Sequence, residues 1–399
     1  MSFVHGLFIS LLVGQTLASW LDYGIPPSSA TVDVRVFNVV NVTLVNAAHT
    51  FIAPVVPTHE DINLPVFSFL VEHKNSNKRL MFDLGIRKDT ENLAPSLQGL
   101  FTSGTVQGEQ PFDITELLQA GGIPLESIDS VIWSHAHFDH IGDMSKFPNT
   151  TDLIIGSETN TETFPDFPNA TLQASDFAQV ISRIDRIPTL SFIGSGRQVT
   201  KIDFSNANLI FSGMKAIDFF RDGSFYLLNT PGHHPGHLTA LARVTPTTFI
   251  LLGGDTFHHV GEARPRPALQ KNFPCPAHIL EEAKTAISTD FFWSPRSRDG
   301  AFDLRSRSSQ LLAVSDTPDS FYADPVASQV SLEKIATFDA DPDVFVVIAH
   351  DISIRDVIPY FPASLNDWKA RDLKEKTLWS FIEESNPASV FRPSTNATV

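Results

Sequence analysis

The chain has 399 residues, a formal net charge of −16 and one cysteine. The acidic balance argues against a nucleic-acid-binding protein, which needs a basic surface. The lone Cys275 excludes an intramolecular disulfide framework and a thiolate-rich zinc site. Hydrophobic residues make up 42% of the chain and charged residues 19%, an ordinary globular composition that can bury a core.

The first 19 residues are either a signal peptide or the start of a cytoplasmic chain. They are mostly apolar and place the small residues Thr16 and Ala18 where a signal peptidase would cut, but no lysine or arginine precedes them. Four Asn-x-Ser/Thr sequences weakly favour secretion: Asn41, Asn149, Asn169 and Asn396. Elsewhere no stretch approaches the roughly 20 apolar residues of a membrane span. We therefore expect no membrane partner.

The first predicted elements are strands. Val32–Val45 is rich in β-branched residues, and Val66–Val71 with Arg79–Leu84 forms two apolar runs around a polar turn, which predicts a hairpin. Asp83, at the end of the second run, either orients a metal-ligating histidine or caps the turn. The segments Asp113–Ala120 and Ile123–Ile128 are predicted to be helical.

The centre of the sequence is a cluster of histidines and an aspartate directly after the apolar run Ile128–Trp133, which predicts a buried strand. Side chains two residues apart share one face of an extended segment, so His135 and His137 should point together. As the chain turns, Asp139 and His140 are aimed at a second position. This density of imidazole and carboxylate groups is typical of a closely spaced pair of metal ions.

A second turn with histidines follows the predicted strand Phe225–Asn229, in the sequence Thr-Pro-Gly-His that ends at His233. The Pro-Gly break predicts a sharp turn at the strand end, which suits His233 as a metal ligand. We expect His237 to pack or to hydrogen-bond beneath the site and His234 to face solvent.

The last predicted site residues also lie at strand ends. Thr248–Leu252 is followed by two glycines and Asp255, whose two oxygens can bridge two cations. His258 or His259 could reach a substrate carbonyl, and either could instead support the site from behind or lie at the surface. Val344–Ile348 is an apolar strand that ends near His350, which completes the ligand count.

Three units are predicted along the chain: the N-terminal segment 1–19, a domain over residues 30–360 that carries the metal-ligand motifs, and a C-terminal helical appendix with a tail over residues 361–399. Asp290–Pro325 lacks a clear secondary-structure pattern and is interpreted as an insertion inside the domain. The appendix is predicted to contain a helix across Trp368–Glu384. Ser331–Phe338 is predicted to be a helix as well.

These motifs resemble the metallo-β-lactamase superfamily, and within it fungal members similar to N-acyl-homoserine-lactone lactonases. The resemblance implies an α/β fold, a four-layer αβ/βα sandwich with the site at one edge of the sheets. It also implies two zinc ions per chain, the first held by His135, His137 and His233, the second by Asp139, His140 and His350, with Asp255 bridging. Lactonases of this kind have a tyrosine three residues after the bridging aspartate, whereas this chain has His258 there.

A dinuclear zinc hydrolase that opens a cyclic ester through a metal-bridging hydroxide is the function that this resemblance implies. Asp139 would relay a proton to the leaving group, and His258 is the candidate for contact with the substrate carbonyl. Hydrolysis of a lactam or a cyclic carbamate in the same site is the nearest alternative, and a thioesterase is another. The expected partner is a small-molecule substrate; oligomeric state is left open.

Overall fold

The computed structural model describes residues 19–177, 197–279 and 310–391. Within these residues, two large β-sheets face each other. The first sheet has seven strands in the spatial order Val199–Ile202, Asp152–Gly156, Ser130–Ile132, Lys78–Phe82, Ile62–His73, Asp33–Leu44 and Val106–Gln107. The second sheet has six strands in the order Leu209–Phe211, Met214–Asp218, Phe225–Asn229, Leu238–Thr245, Thr248–Leu252 and Val344–Val347.

Smaller elements cover the sheets. Two short strand pairs join Ile52–Ala53 to Ala313–Val314 and Thr163–Phe164 to Leu172–Gln173. The described α-helices are Ala48–Phe51, Pro95–Thr102, Ile114–Ala120, Phe138–Ile141, Val260–Ala263, Pro267–Asn272, Pro325–Asp339 and Leu373–Thr377. Turns of 3-10 helix lie at Ser19–Leu21, Thr90–Asn92, Leu125–Ser127, Met144–Lys146, Ala174–Phe177 and Ser380–Ile382.

The side chains of each sheet alternate between two apolar layers, as the period of a β-strand requires. In the first sheet Phe69 and Phe82 face the space between the sheets, whereas Leu70 and Met81 face the outer helix Ile114–Ala120. The second sheet alternates in the same way, and its outer face packs against the long helix Pro325–Asp339. The predicted four-layer αβ/βα sandwich is therefore confirmed.

The predicted strands are confirmed, with ends that shift by a few residues. Two helices differ from the expectation. Ile123–Ile128 forms only the 3-10 turn Leu125–Ser127, and the long helix begins at Pro325, six residues before the predicted start. Proline suits the first turn of a helix because its missing N–H has no partner there, and Asp324 caps this helix by accepting from the N–H of Ala327.

The secondary structure of the C-terminal segment differs from the prediction. We expected a helix across Trp368–Glu384, but the structure forms only Leu373–Thr377 and the 3-10 turn Ser380–Ile382. Bulky residues of this segment are buried: Trp368 packs in the layer between the sheets, and Phe381 packs with the outer face of the second sheet. Burial on two different surfaces requires an irregular path, which a single straight helix cannot follow.

Parts of the predicted insertion and of both termini lie outside the described residues, including the predicted signal peptide except its last residue and the end of the tail. The described part of the insertion is ordered against the fold. Ala313–Val314 pairs with Ile52–Ala53, and the Ser315 hydroxyl donates to the carbonyl of His49. Among the described residues, no helix is both long enough and apolar enough to cross a lipid bilayer.

A buried ion pair connects the helices behind the second sheet. The Arg264 guanidinium donates from Nε and Nη2 to the two carboxylate oxygens of Asp339, at 2.8 and 2.9 Å. Its Nη1 donates to the carbonyl of Leu378 in the C-terminal segment. Both charged side chains are almost completely buried. The pair therefore holds the C-terminal segment on the fold.

Arg264→Ala should lower the free energy of unfolding by about 3–5 kcal/mol, because it leaves the Asp339 carboxylate buried without its partner. Urea unfolding followed by tryptophan fluorescence measures the change. The matched control is Arg355→Ala at the more exposed pair with Asp356, where the loss should be about 1 kcal/mol or less. Equal losses in the two variants would contradict the role given to the buried pair.

Candidate metal centre

Two groups of potential ligands meet at one edge of the sandwich. His135, His137 and His233 bring ring nitrogens together: His137 Nδ1 lies 2.9 Å from His135 Nε2 and 3.0 Å from His233 Nε2. Asp139 joins the second group, with its Oδ2 3.3 Å from His350 Nε2 and 3.7 Å from His140 Nε2. These are the two triads that the sequence predicted.

Asp255 lies between the two groups. Its Oδ2 is 3.4 Å from His233 Nε2 and 3.2 Å from His140 Nε2, while its Oδ1 is 3.2 Å from His350 Nε2. One carboxylate oxygen thus faces both groups and the other faces the second alone. All seven predicted ligands are brought together in clusters that could hold a metal ion, and a further cluster among the described residues joins His258 to Asp255 and His350.

Local structure explains how each residue reaches the centre. The strand Ser130–Ile132 ends early, so His135 sits in a bend, and the short helix Phe138–Ile141 carries the next two ligands. His137 is the N-cap residue of that helix. Helical winding separates successive side chains by about 100°, so the histidine pair and the following ligands aim in different directions.

Asp255 needs a glycine before it. Gly254 has a positive φ of 51°, and a Cβ atom there would lie 2.8 Å from His237 Nε2 and 3.0 Å from the Cβ of Ser134. A larger residue would push the strand end away from the histidine loop. His237 in turn accepts a hydrogen bond on Nε2 from the backbone N–H of Asp255 at 3.0 Å. The expectation that His237 supports the site from beneath is confirmed.

Several imidazoles are oriented by contacts on the side away from the centre. His140 Nδ1 lies 2.8 Å from Asp83 Oδ2, and His350 Nδ1 lies 2.8 Å from the carbonyl oxygen of Pro65. Such contacts select the tautomer that leaves Nε2 free to bind a metal. Asp83 therefore orients His140 from behind with one oxygen, and its other oxygen accepts a hydrogen bond from the backbone N–H of Ser134 at 2.6 Å.

The electrostatics of the cluster favour cations. Burial lowers the pKa of His135 and of His233, so both imidazoles are neutral, the form that binds metals. Burial opposes charge on His140 as well, yet the nearby carboxylates, Asp255 first, raise its pKa well above the usual value. The aspartates thus attract positive charge to the space between them.

Three buried polar atoms of the cluster have no hydrogen-bond partner among the described residues: His140 Nε2, His233 Nδ1 and Asp255 Oδ1. Two of them, His140 Nε2 and Asp255 Oδ1, belong to the predicted ligand atoms facing the centre. An unpaired buried nitrogen or oxygen is costly unless it coordinates a cation. Nitrogen and carboxylate donors without a thiolate suit zinc. The residues present therefore fit a pair of zinc ions.

The remaining histidines differ in their contacts. His234 is half-buried with its ring centroid 4.7 Å from that of His137, so the expectation that it faces solvent is wrong. His259 caps the helix Val260–Ala263 through the N–H of Gly261 and contacts the carbonyl of Ala388, which is a structural role. His258 is buried beside the centre, with Nε2 3.2 Å from Asp255 Oδ2.

A cavity opens from the centre toward the first sheet. His137, Asp139 and His258 are among its polar lining residues, whereas Val42, Leu44, Leu64, Leu97, Leu100, Val106, Phe138 and Phe321 supply apolar walls. Sequence reasoning missed Leu97, Leu100 and Phe321 as lining residues. Phe321 and its neighbour Tyr322 lie within the predicted insertion Asp290–Pro325, near its C-terminal end, and only chain folding brings them to the site.

The family is decided by comparison with known proteins. Residues 62–350 match the model of the metallo-beta-lactamase superfamily. The chain belongs to this superfamily. Its membership, predicted from the metal-ligand motifs, is therefore confirmed.

Fungal relatives of this superfamily member cover nearly all of the chain. Metallo-hydrolase mfmC of Annulohypoxylon moriforme is 35% identical over 92% of this chain and 90% of its own length. Gamma-lactamase FDB1 of Fusarium pseudograminearum is 32% identical over 91% of this chain and 84% of its own length. Cytochrome P450 monooxygenase mpaDE' of Penicillium brevicompactum is 36% identical over 90% of this chain, which spans 38% of that relative's length.

One similar solved structure is an N-acyl homoserine lactone hydrolase with N-hexanoyl-L-homoserine bound at its catalytic metal centre. The alignment covers 84% of our chain and 99% of the hydrolase chain, with 16% sequence identity and a TM-score of 0.48.

Asp83→Asn should weaken zinc binding by about 10- to 100-fold, because the carboxylate that orients His140 is lost. Asparagine tolerates the positive φ of 61° at this position, so the fold should persist. Competition with a chelator measures the affinity. Asp222→Asn is the matched control, since it alters another aspartate–histidine contact, with His73, away from the centre. Equal zinc affinity in the two variants would contradict the role of Asp83.

Proposed function

We propose that this chain is a dinuclear zinc hydrolase that opens a cyclic ester. The observation that carries the proposal is the position of Asp255, with one oxygen toward both ligand groups and the other toward the second group. The first zinc would be held by His135, His137 and His233. The second would be held by Asp139, His140 and His350, with Asp255 bridging the two ions.

When bound, the two ions supply hydroxide near neutral pH and polarise the scissile carbonyl. No protein nucleophile is required. The chain's own residues then have to admit the substrate, orient it and move protons. Asp139 lines the cavity and is suited to the last task because one carboxylate oxygen faces the centre beside His350. Burial alone would raise the pKa of Asp139, but His140 and His350 lower it to about 2. The carboxylate is therefore ionised near neutral pH, and its place beside the centre is the reason we assign it the relay of a proton to the leaving oxygen.

The cavity favours a small substrate with an apolar part. Its described walls are mainly aliphatic and aromatic, and within residues 19–177, 197–279 and 310–391 no lysine or arginine lines it. A thioester carried on a phosphopantetheine or glutathione arm would need a basic approach, so the lining weakens the thioesterase alternative. The acidic balance of the chain also argues against nucleic acid as a partner.

A γ-lactam is the second candidate substrate. Gamma-lactamase FDB1, 32% identical over 91% of this chain, carries that activity in its name. Cyclic esters and cyclic amides present the same carbonyl geometry to the centre, and they differ in the leaving atom that Asp139 must protonate. A nitrogen leaving group depends more strongly on proton delivery, because an amide anion is a much poorer leaving group than an alkoxide.

The proposal is tested by elemental analysis of the purified protein together with a pH-indicator assay on γ-lactones, γ-lactams, cyclic carbamates and thioesters. Two zinc equivalents with acid release from lactones are expected. Hydrolysis of lactams alone would replace the first candidate by the second; it is measured as release of a primary amine, because that amine takes up the proton of the new carboxylic acid near neutral pH. Absence of bound metal, or two metals without turnover of any compound, would contradict the proposal.

Asp139→Asn should reduce kcat by about 100-fold or more, because the amide can no longer relay a proton. Zinc content is measured on the same samples, since Asp139 is also a proposed ligand. Asp166→Asn, at an exposed aspartate in a loop, is the control and should match the unchanged protein in both measurements. An unchanged kcat in Asp139→Asn with both metals bound would show that Asp139 does not relay the proton.

Leu100→Ala should lower kcat/KM for alkyl-substituted lactones by about 10-fold, because it removes apolar contact from the cavity wall. The value for the unsubstituted lactone should hardly change. Val330→Ala serves as control, since it truncates an exposed apolar side chain on the long helix, outside the cavity. An equal loss for both lactones would show that Leu100 does not contact the substituent.

A further inference from the structure

The aromatic ring of Phe321 lies half-exposed at the wall of the cavity that opens from the metal centre. Phe321 is among the lining residues and is 42% exposed, whereas Phe51 in the same wall is only 5% exposed. Burying a phenylalanine side chain is favourable, so the exposed part of Phe321 is apolar surface that a bound molecule can still cover. Ligand pockets are commonly lined by aromatic side chains of this kind.

Backbone hydrogen bonds fix the segment that carries Phe321. The N–H of Phe321 donates to the carbonyl of Thr50 at 3.0 Å. Two residues later, the N–H of Ala323 donates to the carbonyl of His233, also at 3.0 Å. The segment is therefore tied on one side to the wall of the cavity and on the other to the turn that holds a proposed zinc ligand. As a result, the ring of Phe321 has a defined position relative to the centre.

One face of the Phe321 ring is covered by a second aromatic ring. Phe321 and Phe51 stack with their ring centroids 4.8 Å apart and an interplanar angle of 6°. The exposed area of Phe321 therefore belongs to its other face and to its edges. The ring centroid of Phe321 lies 6.5 Å from that of His137, a proposed ligand of the first zinc ion. The free part of the ring is thus one side-chain diameter from the place where the substrate would be opened.

The rest of the cavity indicates which chemical group could pack on Phe321. Apart from the proposed metal ligands and His258, the polar side chains in the described lining are the hydroxyls of Thr105 and Thr171. A charged group would lose its hydration there without a charged partner, so the group has to be neutral. Aromatic rings favour offset-stacked or edge-to-face contact with another ring, a contact that a saturated ring of the same size cannot make.

We propose that Phe321 determines the substrate preference of this centre and selects a neutral cyclic ester with an aromatic ring attached directly to the ester ring. Direct attachment follows from the short distance between Phe321 and His137. Phe321 takes no part in the chemistry and stabilises the bound substrate by packing against its aromatic group. The inference rests on the proposed function, because it names the substrate class of the same site.

Binding of compounds that cannot be hydrolysed tests the inference without turnover. Cyclopentanones substituted with a phenyl or a cyclohexyl group keep the carbonyl of the lactone, but a methylene group replaces the ring oxygen. Isothermal titration calorimetry on the zinc-loaded protein measures both affinities. We expect the phenyl compound to bind about 3- to 10-fold more tightly. Burial of apolar area alone predicts no such preference, because a cyclohexyl group has at least as much apolar surface as a phenyl group.

Variants at position 321 assign the preference to the aromatic ring. Phe321→Leu and Phe321→Met should bind the two cyclopentanones with affinities within about twofold of each other, because both side chains are apolar but have no ring. Phe321→Tyr should keep the preference, since it keeps the ring. Phe112→Leu is the matched control: Phe112 is 54% exposed, lies outside the described lining, and should leave both affinities unchanged. Thermal unfolding of each variant verifies the fold.

Several results would overturn the inference. Equal affinity of the unchanged protein for the two cyclopentanones would show that the cavity does not select an aromatic group, and binding of neither compound would have the same consequence. A preference that persists in folded Phe321→Leu or Phe321→Met would show that another residue is responsible. Loss of the preference in Phe321→Tyr would contradict ring packing as its cause.

Turnover of the corresponding lactones separates this inference from the proposed function. The ratio of kcat/KM for the phenyl-substituted lactone to that for the cyclohexyl-substituted lactone should fall about 3- to 10-fold in Phe321→Leu. The unsubstituted lactone should be opened at an unchanged rate, because the metal ligands are untouched. If no lactone is opened but cyclopentanone binding depends on Phe321, the proposed function fails and the aromatic preference stands. If lactones are opened without dependence on Phe321, the inference fails and the proposed function stands.

Discussion

A buried carboxylate without compensating charge is among the most unfavourable groups that a protein interior can contain. Asp255 is such a group, and the architecture around it supplies the compensation. Nitrogen atoms of five histidine side chains lie within 3.7 Å of its two oxygens: His135, His140, His233, His258 and His350. They come from loops at the ends of strands in both sheets, so the centre can form only when the two sheets face each other in this arrangement.

The sandwich therefore has two functions at once. Alternation along each strand buries apolar side chains on both faces of both sheets, which makes the layers rigid. Rigid strands then deliver their terminal loops to one edge with little freedom. The close approach of Gly254 to His237 and Ser134 shows how tightly the loops from different strands are packed there. The positions of the ligand atoms are therefore fixed by close packing of residues that lie away from the centre.

Residues that contact the histidines on the side away from the centre decide which ring nitrogen faces the centre with a lone pair. Asp83 and the carbonyl of Pro65 each contact the far nitrogen of one histidine, and Tyr322 does the same for His258. A histidine can offer either a lone pair or an N–H toward the centre, and the contact on its other nitrogen selects between them. The contact on the far nitrogen of each histidine thus sets which atom that histidine presents to the centre.

Local patterns in the sequence were enough to predict most strands of this protein and the residues of its candidate metal centre. Periodicity of apolar residues predicted the strands, and the clustering of His135, His137, Asp139 and His140 after one strand predicted two metal positions, because side-chain direction in a short segment depends on local backbone geometry. His233, Asp255 and His350 could be found because each follows a strand. Tertiary structure decided the rest. The irregular path of Trp368–Glu384 depends on which surfaces bury its bulky residues, and that is not encoded in its own pattern. The partnership of Tyr322 with His258 joins residues 64 positions apart, so only folding of the whole chain could bring the hydroxyl of one to the ring of the other.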